Sequence, residues 1–212
     1  MNIYSKLEDI RAKKGSLAVA LIDPDAKNHN ALGLILDTIN KSLFDVIFIG
    51  GSHMSDDKFE QRLKFVKGNT DLPVILFPGS SNQISKFADA LLFLSLVSGR
   101  NPQYLIGEHV KSAPIINKLN IETIPTAYIL LDGGERSSVE IISNTTPLPM
   151  NKIDIILAHA LAGQYLGNQF VFLESGSGAK NHAENEIVKL LSNELSIPII
   201  VGGGVKSIES AK

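Results

Sequence analysis

Seven short, nearly unbroken apolar runs punctuate the chain: SLAVALID (16–23), DVIFIG (45–50), PVILFPG (73–79), ALLFLSLV (90–97), TIPTAYILL (123–131), QFVFLESG (169–176) and IPIIVGGG (197–204). Runs of this kind read as strands covered on both faces, the pattern of a parallel sheet. Helical patterns separate them, with apolar residues at three- and four-residue spacing over 30–41, 56–67, 103–119 and 153–166. Gly167 stands where a glycine cap would close the last of these. Such alternation leaves two architectures, an open doubly wound sheet or a closed (β/α)8 TIM barrel. Most runs end in functional-looking residues: DPD, GGS, PGS, SGRN, DGGE, ESGSG and GGG. In a barrel these ends converge on one mouth, where active sites are built, so the barrel is the expected fold.

Two irregularities qualify that expectation. Only GSSNQISKFAD separates the third run from the fourth, too little for a full helix with its loops, so the third helix is expected to be shortened or missing. The chain also stops at VKSIESAK (205–212), inside what reads as the seventh helix. A barrel needs closure to satisfy its edge strands. The expectation is therefore a single domain over 1–212, truncated before the eighth strand or completed by a further tail. Residues 132–152 form a polar, proline-bearing insertion, placed over the rim or at a subunit contact.

Charge and composition remove several function classes. With 20 basic and 22 acidic residues, a net charge of −2 and no basic run, nothing points to nucleic acid. The absence of cysteine rules out disulfides, thiolate metal sites and cysteine nucleophiles, and fits a reducing cytosol. The N-terminal segment has no apolar signal-peptide core, and no apolar run approaches the roughly 20 residues that span a bilayer. A soluble, cytoplasmic protein is expected. His29, His53, His109, His159 and His182 include no i, i+4 ligand pair, so a histidine-based metal site is not expected.

Chemistry-bearing residues gather at the strand ends. Asp23 and Asp25 flank Pro24, which favours an extended Asp23 whose carboxylate projects rather than curling back as a helix cap. Acids so placed can hold Mg²⁺ together with substrate phosphate and water, although Asp25 could equally cap a turn. After the second run, Gly50 and Gly51 allow close backbone approach, Ser52 offers a hydroxyl to metal or phosphate, and Ser55 is placed to cap the next helix. Glu174 ends a buried run and faces the turn Ser175–Gly176–Ser177–Gly178. Gly202, Gly203 and Gly204 end another, more glycine than an ordinary turn requires. The two loops read as a phosphate cradle built from peptide N–H groups, with Glu174 beside the ligand as a hydroxyl partner or proton acceptor.

LIDPD, GGS, FLESGSGA and VGGGVKS, in this order and at these intervals, resemble the geranylgeranylglyceryl phosphate synthase family over essentially the whole chain. The resemblance implies a (β/α)8 barrel with a modified third helix. It implies Mg²⁺-dependent transfer of a long prenyl group from prenyl diphosphate to the 3-hydroxyl of sn-glycerol 1-phosphate, an ether-lipid precursor step. By position, Asp23 and Ser52 match the family's metal-binding pair. Phe172, Leu173, Glu174, Ser175, Gly176, Ser177 and Gly178 match its acceptor loop, and Gly203 and Gly204 its next phosphate contact. Two departures stand out: the acceptor loop commonly opens on tyrosine where this chain has Phe172, and the family's Gly-Asn pair after the eighth strand has no counterpart. A homodimer or higher homo-oligomer, with transient membrane-surface contact, is implied as well. LLFLSLV and NPQYLIGEHV could line an isoprenoid trough, with Tyr104 limiting chain length. The alternative function is another phosphate-binding barrel enzyme, an isomerase or cyclase of a small sugar-phosphate-like substrate. A non-catalytic scaffold is the third reading.

Overall fold

All seven apolar runs form strands: β1 Val19–Ile22, β2 Val46–Ile49, β3 Val74–Leu76, β4 Ala90–Leu96, β5 Glu122–Leu130, β6 Phe170–Glu174 and β7 Ile199–Gly202. Helices α1 Ile3–Lys14, α2 Leu32–Asn40, α3 Phe59–Gly68, α4 Glu108–Leu119, α5 Ser138–Ser143, α6 Ile153–Tyr165 and α7 Asn185–Glu194 lie between and before them. The computed structural model describes residues 2–207. The chain divides into two units, Met1–Leu92 with Val110–Ile124, and Phe93–His109 with Pro125–Lys212.

In the first unit β1, β2, β3 and the start of β4 pair in that order, all parallel, with Val19 opposite Val46, Ile47 opposite Val74 and Ile75 opposite Ala90. Every residue of β2 and β3 is buried, as the unbroken apolar runs require of a sheet covered on both faces. Phe59, Leu63 and Val66 recur along α3 at helical spacing and are buried as one stripe. At the start of α1 the Glu122 carboxylate accepts from the Ile3 and Tyr4 N–H groups at 2.6 and 2.9 Å, satisfying donors that a first helical turn leaves open. Between β3 and β4 the only helical element among the described residues is a three-residue 3₁₀ turn, Ser81–Gln83.

In the second unit the order is the end of β4, then β5, β6 and β7. Tyr128 lies opposite Phe172, Leu130 opposite Glu174, and Glu174 opposite Gly202, all parallel. Strand side chains alternate between faces. Ala127, Ile129, Leu131, Val171 and Leu173 therefore share one face and pack against Ile156 and Ala160 of α6 and Ile187 and Leu191 of α7. The same alternation sends Tyr128, Phe172 and Glu174 to the opposite face, where the rings of Tyr128 and Phe172 stack at 5.4 Å. The polar insertion carries the short helix α5, capped by Ser137 and ended by Asn144 in the left-handed region, and rejoins the sheet through a parallel bridge from Leu148 to Leu131.

The helix expected from 103 begins as a π-turn over Gln103–Gly107 before continuing as α4, which holds Pro114 within it. The helix expected over 205–212 lies mostly outside the described residues. Among the described residues no helix is long and apolar enough to cross a membrane.

Candidate active site

The first set of site residues stands where β1 and β2 end. Asp25 is buried, and its Oδ1 accepts from the Lys27 N–H at 3.2 Å, capping the 3₁₀ turn Ala26–Ala31. Its Oδ2 accepts from the Ser55 N–H at 2.7 Å. The Ser55 contacts, then the Lys27 N–H, hold its carboxyl below the ordinary carboxylate range. Asp25 thus ties two loops together, and Asp23 is the more exposed of the two acids. Asp23 does not project freely as the sequence suggested. Pro24 does keep it out of a helix, yet Oδ1 still accepts from the Asp25 N–H at 3.2 Å in a local turn, and Oδ2 pairs with Lys27 Nζ at 2.8 Å.

The Asp23–Asp25 turn rests on a buried arginine that sequence reading missed. Arg62, 3% exposed, donates to the Pro24 carbonyl at 2.8 Å and to both Asp56 oxygens at 2.7 and 2.6 Å. Its guanidinium holds the Asp56 carboxyl down at about 2. A lone arginine on a helical stripe carries no sequence signal for this role; only the fold brings it under the turn.

Gly51 lets the end of β2 approach Asp23, since a Cβ on it would stand 3.0 Å from Asp23 Oδ1. Ser52 follows directly. The Asp23 and Ser52 donors are hard oxygens, the kind Mg²⁺ takes when substrate phosphate and water complete its shell. Among the described residues no three acidic or imidazole groups converge into a self-sufficient metal cage.

The second set stands where β6 and β7 end. Glu174 is 6% exposed, and its Oε1 accepts from the Gly176 N–H at 2.6 Å. Burial pushes its carboxyl up to about 7, with the Gly176 N–H pulling in the other direction. Gly203 explains part of the glycine richness. With φ at +78°, it would place a Cβ 2.6 Å from Glu174 Oε1 and equally close to Gly176 N, so only glycine fits. A Cβ at Gly202 would meet the Phe172 ring at 2.7 Å, and one at Gly204 the Asn181 carbonyl at 2.4 Å. All three glycines are thus demanded by packing, which corrects the view that the run exceeds what geometry needs. Ser175 Oγ is buried without a hydrogen-bond partner.

The expected acceptor-loop residues do not all share one environment. Phe172, Glu174, Ser175 and Gly176 are buried near the turn, whereas Ser177 and Gly178 are exposed. The Leu173 side chain points into the core under α6 and α7, so only its backbone belongs to the loop. Tyr104 sits on the π-turn, half-buried, with its hydroxyl 3.4 Å from the Ile142 carbonyl on α5. Tyr128, missed from sequence, stacks on Phe172, and its hydroxyl is pushed well up by burial and then by the Glu174 charge. Its place in TIPTAYILL shares strand parity with the site face, a signal legible only once the pairing register is known.

Residues 8–212 match the PcrB family. The chain is 43% identical over 209 residues to a geranylgeranylglyceryl phosphate synthase of Chitinophaga pinensis, covering 99% of this chain and 83% of that one. It is 40% identical over 211 residues to the protein of the same name from Pyrococcus horikoshii, covering 99% and 80%. The crystal structure of (S)-3-O-geranylgeranylglyceryl phosphate synthase from Thermoplasma acidophilum, in complex with sn-glycerol-1-phosphate, superposes with a TM-score of 0.92 at 35% identity. It covers 100% of this chain and 85% of that one.

Proposed function

Because the chain belongs to the PcrB family, we propose that it is a prenyltransferase that moves a geranylgeranyl or similarly long prenyl group from its diphosphate to the 3-hydroxyl of sn-glycerol 1-phosphate. The observation that carries this reading is Glu174, a carboxylate buried at the end of β6 with its carboxyl raised to about 7 against a glycine turn. A base poised there takes the proton of the acceptor hydroxyl as its oxygen bonds to the allylic carbon and the bond from that carbon to diphosphate breaks. The unpartnered Ser175 hydroxyl and the peptide N–H groups of the β6 and β7 loops supply donors for the acceptor's phosphate.

Asp23 and Ser52 would hold a Mg²⁺ ion, whose chemistry here would be to neutralise charge growing on the leaving diphosphate. Arg62 and Asp25 keep the Asp23 turn in place while this happens. The Phe172 ring replaces a hydroxyl with an apolar face, and acceptor affinity then rests on the glycine turns, Ser175 and Glu174. Tyr104 on the π-turn is assigned the limit on prenyl length, and Tyr104→Ala is expected to let longer prenyl diphosphates react. An unchanged chain-length profile removes that assignment.

Incubation with radiolabelled sn-glycerol 1-phosphate and geranylgeranyl diphosphate tests the reaction directly. Label is expected to enter the organic phase with Mg²⁺ and to stay aqueous with chelator. No labelled lipid with any prenyl diphosphate from C15 to C35 overturns the reading.

A further inference from the structure

Pairing between β2 and β3 stops early. Its last backbone bond runs from the Phe77 N–H to the Ile49 carbonyl at 2.9 Å, and Gly51 lies beyond it. There one side chain does the work of a missing strand. Gln83 Oε1 accepts from the Gly51 N–H at 3.1 Å, and Gln83 Nε2 donates to the Gly51 carbonyl at 2.7 Å. Holding both peptide groups of one residue fixes its rotation as well as its position. The carboxamide is itself fixed: Gln83 is 2% exposed, and its own N–H donates to the Ser80 carbonyl at 3.1 Å. On another side the turn meets Gly79, whose absent Cβ would stand 2.3 Å from the Gly51 carbonyl and 2.9 Å from Ser52 Cα.

We propose that Gln83 is a positioning residue for the diphosphate end of the reaction, clamping Gly51 so that Ser52 is held beside Asp23. The inference rests on the assignment of Ser52 and Asp23 to that end. It gives the reduced third connection a purpose. The three-residue turn Ser81–Gln83 begins one residue beyond Gly79–Ser80 and delivers a carboxamide to the end of β2. A glutamine that only satisfied a buried peptide would matter for stability alone. A glutamine that places Ser52 matters for what Ser52 binds.

A double-mutant cycle separates these cases. The probe is Mn²⁺ with inorganic diphosphate, read as loss of the free Mn²⁺ signal by electron paramagnetic resonance, on folded full-length chain. Gln83→Leu and Ser52→Ala are each expected to weaken binding about tenfold, a size in keeping with small misplacements of a binding group. The double variant is expected to bind no more weakly than Ser52→Ala alone. Should Gln83→Leu fail to fold, Gln83→Glu, which keeps the acceptor for the Gly51 N–H but loses the donor, enters the same cycle with a smaller loss. Unchanged binding in the Gln83 variant, or losses that simply add, overturns the proposal while leaving Ser52 in its role. Unchanged binding in Ser52→Ala overturns both, and the transfer assay then decides separately whether the reaction itself stands.

Discussion

Asp25 at the end of β1 and Glu174 at the end of β6 are both buried carboxylates at the ends of strands, yet the fold treats them oppositely. Asp25 receives the N–H groups of Ser55 and Lys27, and its carboxyl is held low. Glu174 receives the N–H of Gly176 at its side chain, and burial lifts its carboxyl to about 7. Around Asp25 the polypeptide has been arranged to keep charge, with Arg62 and Asp56 close by. Around Glu174 it has been stripped to glycine and aromatic surface, which disfavours charge. Protonation behaviour is therefore set by how many donors the neighbouring backbone aims at the oxygens, and burial decides the outcome only where those donors are few.

The sharpest way to break this contrast is Glu174→Gln. Transfer is expected to fall by about 10²–10⁴-fold, the usual worth of a positioned base, with the fold intact by circular dichroism. In the parent chain the acid limb of kcat/KM is expected to have its midpoint near 7, the raised value of the Glu174 carboxyl. The stability consequence has a definite sign. The folded chain keeps the Glu174 proton over a range in which the unfolded chain has lost it, so this group favours folding less as pH rises from about 4.5 to about 7. Glu174→Gln is thus expected to be more stable than the parent above pH 7, by on the order of 1–3 kcal/mol in urea unfolding, with the gain gone below about pH 4.5. A gain that persists into acid would show that charge burial is not its origin.

Gly203→Ala tests the other half of the same environment. A methyl group would press on Glu174 Oε1 and Gly176 N from a backbone at φ +78°. Strain of about 1–3 kcal/mol is expected, with KM for sn-glycerol 1-phosphate rising about tenfold or more. An unchanged KM would detach the β7 loop from the acceptor.

The smallest effect is expected on the charge-keeping side. Arg62→Met removes the guanidinium from the Pro24 carbonyl and from Asp56, which keeps the Lys58 N–H. Asp56, now held at about 2, contributes stability that is present above its ordinary value near 3.8 and lost as pH falls through 2. The variant should therefore be less stable than the parent at neutral pH, and the gap should narrow below about pH 4. A gap constant from pH 7 to pH 2.5 would assign the loss to packing and not to the ion pair.

Much of this was legible before any coordinates. Strand positions followed from unbroken apolar runs, because a strand covered on both faces has no polar side to interrupt it. Asp23, Ser52 and Glu174 were singled out because each is a polar residue at the end of an apolar run, beside proline or close to glycine. Gln83 and Arg62 were not. Gln83 reaches Gly51 from 32 residues away and Arg62 reaches Pro24 from 38, and neither leaves a local pattern. The glycine triplet was noticed for one reason and required for another: each position meets a neighbour that no local pattern predicts.

Local periodicity and composition, by themselves, determined the order of strands and helices and the absence of thiol chemistry, while the motifs LIDPD, GGS, FLESGSGA and VGGGVKS carried the family likeness. Those properties depend on which residues follow one another. Only the tertiary structure decided that Asp25 is a cap and Asp23 the partner of Lys27, that Leu173 turns into the core while Glu174 lies on the opposite face, and that burial pushes the Glu174 carboxyl up to about 7. Each of those depends on donors, register and burial contributed by residues distant in the chain. Desolvation and hydrogen bonding act through space, and sequence neighbours do not record them.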